Sequence, residues 1–172
     1  LATGQRATSI KRILVPTDGS SASLSAARYA AELAGALGAE VTLLHVVEVP
    51  HIPSRFLGKP NAQLRAEFVE AGRAILSMVQ KTFSDVGVPV STELREGRAG
   101  DVIVLMAVQG KYDLIVMGSR GLEPSESALL GSVSDHVAHH ARCPVLIVRR
   151  GTAGTSHAVP TVSEGAGGEA DE

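Results

Sequence analysis

The chain has 172 residues, 44% of them hydrophobic, with a formal net charge of −2 and only three Phe, two Tyr and no Trp. That length suits one domain able to bury a core, and the core must be built mainly from aliphatic residues and alanine, as in parallel sheets covered by helices. The weak net charge argues against a general nucleic-acid or anionic-membrane surface, and the scarcity of aromatics argues against stacking platforms for single strands, so neither partner is expected.

Residues 1–9 show no periodicity and read as a mobile lead. Ile13 to Pro16 form a first buried strand, ended by Thr17, Asp18, Gly19 and Ser20, a turn sequence that can also cap a helix. From about Ser21 to Leu37 the residues Leu24, Ala27, Ala31 and Ala34 recur on one helical face, and Gly38 closes it. Val41 to Val47 is rich in β-branched residues and reads as a strand, followed by a proline-bearing loop from Glu48 to Pro60. Asn61 to about Val86 carries an inward helical stripe of Leu64, Phe68, Ala71, Ile75, Val79 and Thr82.

Val90 to Arg95 alternates as a strand. Propensity alone favours strand over Val102 to Leu105, but successive parallel strands need a crossover, and residues 97–110 are the only material for one, so that segment is assigned to helix. Asp113 to Met117 is the fourth strand, about Leu129 to Arg142 the fourth helix with Leu130, Val133, Val137 and Ala141 inward, and Val145 to Arg149 the fifth strand. Regular alternation of strand and helix implies a doubly wound α/β domain over residues 10–150, with helices on both faces. Residues 151–172 are poor in large apolar side chains and read as a disordered tail.

The chemistry is concentrated between Asp113 and Ser134, where an apolar strand runs into glycines and then a helix start. The first amides of a helix lack intrahelical partners and sit at the positive end of the macrodipole, so this arrangement suits an anion. Glycines let a phosphate approach the backbone, and Ser132 and Ser134 place hydroxyls beside those amides. The spacing G-x2-G-x9-G-S, carried by Gly118, Gly121, Gly131 and Ser132, is neither a Walker P-loop nor the dinucleotide G-x-G-x-x-G.

That spacing closely resembles the phosphate and ribose signature of the ATP-binding universal stress proteins. Lys11 to Ser20, Val41 to Val47 and Cys143 to Arg149 resemble the family's first, second and last strands, so about residues 10 to 150 are covered. The resemblance implies a five-stranded parallel sheet in the order 3-2-1-4-5, of the adenine nucleotide alpha hydrolase-like kind. In that order the turns at Asp18 and Gly118 flank one crevice at the topological switch point. It also implies a nucleotide contact set of Pro16, Thr17, Asp18, Val46, Met117, Gly118, Gly121, Gly131, Ser132, Val133 and Ser134. The ligand expected is ATP, or ADP or AMP, with Mg2+ as its companion. Homodimerisation through Val145 to Arg149 is expected likewise, with a further protein partner unknown.

Several of these residues have plainer readings. Asp18 is placed to accept from a ribose hydroxyl or an adenine amino group, or to hold Mg2+ through water, and equally to cap the first helix. Val46 on a strand is otherwise a core residue, and Gly118 and Gly121 are otherwise turn glycines. Arg120 reaches a phosphate or is simply solvated, and is left out of the set. His136, His139 and His140 share a stripe of the fourth helix and read as a solvated face rather than a metal site, while His45 reads as a packing or hydrogen-bonding residue. Cys143, the single cysteine, excludes an intrachain disulfide framework, fits a reducing compartment and reads as buried and inert.

Neither a signal peptide nor a bilayer-length apolar run is visible, so a cytoplasmic location is expected, although the chain starts at Leu1 rather than Met. The expected function is nucleotide-dependent regulation in a stress response. A slow ATP hydrolase or autophosphorylating enzyme is the first alternative, with Asp18 positioning metal or water and Ser127, Ser132 or Ser134 as acceptors. A dimeric interaction module that binds no nucleotide is the second.

Overall fold

A computed structural model of the chain describes residues 9–49, 61–121 and 130–149. The expected lead over residues 1–8, the loop over 50–60, Ser127, Leu129 and the tail from 151 onward lie outside the described residues. The elements, in chain order, are β1 (Arg12–Pro16), α1 (Ser21–Leu37), β2 (Glu40–Val47), α2 (Asn61–Gln80), β3 (Val90–Glu96), α3 (Ala99–Gln109), β4 (Leu114–Gly118), α4 (Ser132–His140) and β5 (Val145–Val148). All strand pairs are parallel, in the order β3-β2-β1-β4-β5. Parallel pairing requires a crossover after each strand, which is why residues 99–109 are helical despite their β-branched run.

Strand alternation divides the core into two layers. Ile13, Val15, Val41, Leu43, Leu114 and Val116 face α1 and α2, where Ala26, Ala27, Ala30, Ala34, Leu76 and Val79 meet them. Leu14, Leu44, Ile115 and Met117 point the other way, onto Ile103 and Ala107 of α3 and Val137 of α4. The period of two along each strand therefore builds the doubly wound sandwich directly. Helix α1 begins at Ser20, whose side chain accepts from the Ser23 N–H, and ends at Gly38 in the left-handed region (φ 62). The Ala39 N–H then returns to Ala34 O at 3.0 Å, a Schellman-type closure that only glycine enters without a Cβ penalty.

Helix α2 departs from the expected stripe. Phe68 is 38% exposed and Ala71 is also exposed, whereas Gly72, Leu76 and Val79 are buried. The cause is Gly72, which packs against the His45 ring and Leu94: a Cβ there would lie 2.6 Å from His45 Cδ2 and 2.8 Å from Leu94 Cδ1. Close approach at the glycine turns the helix by about one residue, a choice that periodicity leaves open. The helix also stops at Gln80, with a 3₁₀ turn over Lys81–Phe83. Helix α4 is likewise shorter than expected, starting at Ser132 and ending at His140.

Candidate functional site

Strands β1 and β4 are neighbours, with Ile13 opposite Leu114 and Leu14 opposite Ile115. Helix α1 leaves β1 on one face of the sheet, and α4 packs on the other. The carboxyl ends of these two strands therefore open a crevice at the switch point. It holds a cavity of about 850 Å³, within the usual size of small-ligand sites. Pro16, Thr17 and Asp18 line it from the first turn, Val46 from β2, and Met117, Gly118 and Gly121 from β4 and its loop. Gly131, Ser132, Val133 and Ser134 line it from the start of α4. The whole residue set implied by the resemblance thus meets in one place.

The first loop is held rigidly. Thr17 N–H donates to Leu44 O at 2.8 Å, and the His45 Nδ1–H donates to Thr17 O at 2.8 Å, which clamps the turn to β2. A carbonyl can only accept, so this bond sets the imidazole tautomer. Thr17 Oγ1 donates to Ser23 Oγ at 3.1 Å, and Ser23 Oγ donates to Ser20 O at 3.0 Å, so both buried hydroxyls are committed inside the protein. Asp18 is not the cap of α1, a place taken by Ser20. Its Oδ1 accepts from Ser20 N–H at 2.9 Å, and its Oδ2 faces the second loop, where a Cβ on Gly121 would come within 2.6 Å. Glycine at 121 is what lets the Asp18 carboxylate and the second loop share one wall.

The second loop is tied to α4 by a single carbonyl. Ser119 O accepts from Gly131 N–H and from the Ser134 hydroxyl, both at 2.8 Å. The Ser134 side chain is therefore buried and committed, and what it offers a ligand is its backbone N–H. Gly131 is the N-cap of α4 with φ −78 and ψ 162, a conformation open to any residue, and no side chain caps the helix there. The first-turn amides at 132, 133 and 134 lack intrahelical carbonyls and border the cavity. Ser, Thr or Asp at position 131 would cover those amides with its own oxygen; glycine does not.

The remaining wall is apolar. Leu44, Val46, Ile103 and Met117 form it, with Ala99 beside them. Ala99 and Ile103 come from α3, and no local pattern in that β-branched segment marks them as lining a site. Ser23, Leu44, His45, Leu130 and Arg120 also line the cavity, although none belongs to the expected set.

The histidine stripe of α4 is only partly solvated. His139 and His140 are exposed, but His136 is half-buried, with Nε2 3.0 Å from Asp101 Oδ1 and its ring stacked on His140 at 4.2 Å. Gly100 makes room for it, since a Cβ there would sit 2.7 Å from His136 Cδ2. Among the described residues no group of three or more His, Cys, Asp or Glu side chains is placed to hold a metal ion. Cys143 is half-buried against the α3 and α4 layer, and burial pushes its thiol above the ordinary range. No described helix is long and apolar enough to cross a membrane.

A parallel doubly wound domain with a glycine-walled cavity at its switch point is the class that fold and site define. The chain belongs to the universal stress protein family, whose profile matches residues 9–149. It is 42% identical over 144 residues to Universal stress protein MJ0531 of Methanocaldococcus jannaschii, covering 81% of this chain and 82% of that one. The solved structure of MJ0577, from the same organism, matches with a TM-score of 0.74 and 30% identity over 84% of this chain and 99% of that one. A universal stress protein solved in complex with cAMP matches with a TM-score of 0.64 and 29% identity, over 81% and 97%.

Proposed function

We propose that the cavity binds an adenine nucleotide and that the protein acts as a nucleotide-dependent regulatory module in a stress response. The observation that carries this reading is the pairing, in one cavity, of an apolar slot with a bare helix start. Leu44, Val46, Ile103 and Met117 suit a base, and the uncapped amides at 132–134 suit a phosphate. The relative solved with cAMP supports an adenine ligand in this family. ATP is the ligand proposed, with ADP and AMP as its shorter homologues.

For Mg2+ the described lining residues provide one carboxylate, Asp18, with one oxygen already accepting a hydrogen bond. That fits an ion carried in on the phosphates, since Mg2+ commonly takes one or two carboxylates plus substrate oxygens. Homodimerisation through Val145 to Arg149 is part of the same proposal. It is supported by β5 lying at the sheet edge with all four of its residues half-buried. A cytoplasmic location is proposed on the single thiol.

Calorimetric titration with ATP and Mg2+, on the wild type and on Gly131→Asp, tests the reading. A carboxylate at the N-cap occupies the free amides from within and repels phosphate, while leaving α4 as stable as before or a few tenths of a kcal/mol more so. Saturable wild-type binding that disappears in a folded Gly131→Asp protein supports the site. Undiminished binding in that variant sinks it.

A further inference from the structure

The second loop also carries a positive charge into the cavity wall. Arg120 lies between Gly118 and Gly121 and lines the cavity with its side chain half-buried. Among the described lining residues it is the one Lys or Arg, and Asp18 is the one carboxylate. The two share a wall, yet the described ion pairs do not include an Asp18–Arg120 bridge: Asp18 Oδ1 is taken by the Ser20 N–H. Among the described residues no hydrogen bond or ion pair holds the guanidinium. Its backbone sits beside the start of α4, since the neighbouring Ser119 O accepts from Gly131 N–H and the Arg120 Cα lies 3.4 Å from where a Cβ on Gly131 would stand. The long side chain is therefore rooted beside the α4 amides and lines the same cavity.

With a base in the apolar slot and a first phosphate at the uncapped start of α4, later phosphates would fall to the one remaining charged donor among the described lining residues, Arg120. Each added phosphate brings negative charge past the single Asp18 carboxylate, so a cation is needed most by the longest chain. Guanidinium suits the task because it stays charged and offers a planar fork to phosphate oxygens.

We propose that Arg120 reads phosphate number: its guanidinium binds the phosphates beyond the first, so the site favours nucleoside triphosphate over monophosphate. The inference rests on the nucleotide reading above, and the experiment separates the two. ATP, ADP and AMP are titrated calorimetrically into wild type, Arg120→Ala, Arg120→Gln and Arg120→Lys, each checked by thermal melting. Loss of a charge-assisted bond predicts ATP affinity reduced about 10- to 100-fold in the alanine and glutamine variants, with AMP affinity changed less than about 3-fold. Lysine retains charge without the fork and should fall between. Glutamine keeps most of the stem, so it carries the test if the alanine protein does not fold. An equal loss for AMP and ATP, or no loss for ATP, overturns the role of Arg120 while leaving nucleotide binding intact. No wild-type binding of any nucleotide overturns both.

Discussion

Gly118→Ala is expected to weaken the fold even with no ligand present. A Cβ at 118 would lie 2.8 Å from the backbone carbon of Ala22 and 3.0 Å from both Ala22 Cβ and Ala22 O. Favourable carbon contacts fall at about 3.5–4.0 Å, so the 2.8 Å approach is short by roughly 0.7 to 1.2 Å. Ala22 cannot swing aside, because it is backbone in the first turn of α1, held by the Ser20 cap and by the buried alanine row behind it. Gly118 is not among the positive-φ glycines, so alanine meets no torsional strain there and the cost is steric. Overpacking of this kind costs about 1–3 kcal/mol, offset by about 0.4–1 kcal/mol from the stiffer unfolded chain. The net loss of about 0.5–2 kcal/mol corresponds to a fall in Tm of roughly 2–6 °C at this size.

Thermal and urea melts of ligand-free protein measure the loss directly. Gly131→Ala is the control, since a Cβ at 131 meets its nearest neighbour at 3.4 Å in an unstrained backbone. It carries no steric cost and should lose only the N-cap preference of glycine over alanine, no more than about 1 kcal/mol. If Gly118→Ala melts at or above wild type, the steric assignment of Gly118 to the α1 contact is wrong and the reasoning fails. The consequence for ligand studies is practical: bulk at 118 damages α1 packing before it reaches the cavity, so 131 is the position at which to block it.

Two further outcomes follow from packing and burial. Leu76→Ala should cost about 2–4 kcal/mol in urea unfolding, because Leu76 is 5% exposed, whereas Phe68→Ala, at 38% exposure, should cost clearly less; the opposite order would restore the stripe read from periodicity. Burial raises the Cys143 thiol, so the neutral form is favoured in the folded protein. Iodoacetamide should therefore label it more slowly at pH 8 in the native state than in urea, and equal rates would refute the shift. The sign for stability follows: the contribution is present below the unfolded thiol pKa and is lost as pH rises through the higher folded value.

Much of this protein is written locally. Continuous apolar runs in Ile13 to Pro16 and Leu114 to Met117, small residues along α1, and a helix where a crossover was needed all follow from pattern and connectivity. The glycine spacing at 118, 121 and 131, with Ser132, is equally local, because each residue acts through its own backbone in a short stretch of chain. Tertiary structure decided what depends on contact across the sheet. The rotation of α2 was set by Gly72 meeting His45 and Leu94, residues from two other strands. The division of labour among the glycines was decided by Ala22 beside 118 and Asp18 beside 121, which no spacing records. Ile103 and Ala99 joined the cavity wall because α3 crosses back over the strand ends, and the Ser134 hydroxyl was withdrawn from it by the Ser119 carbonyl. Sequence periodicity gives the face a residue occupies within its own element; which neighbour stands opposite is fixed only when the elements pack, and at this site the neighbour determines the role.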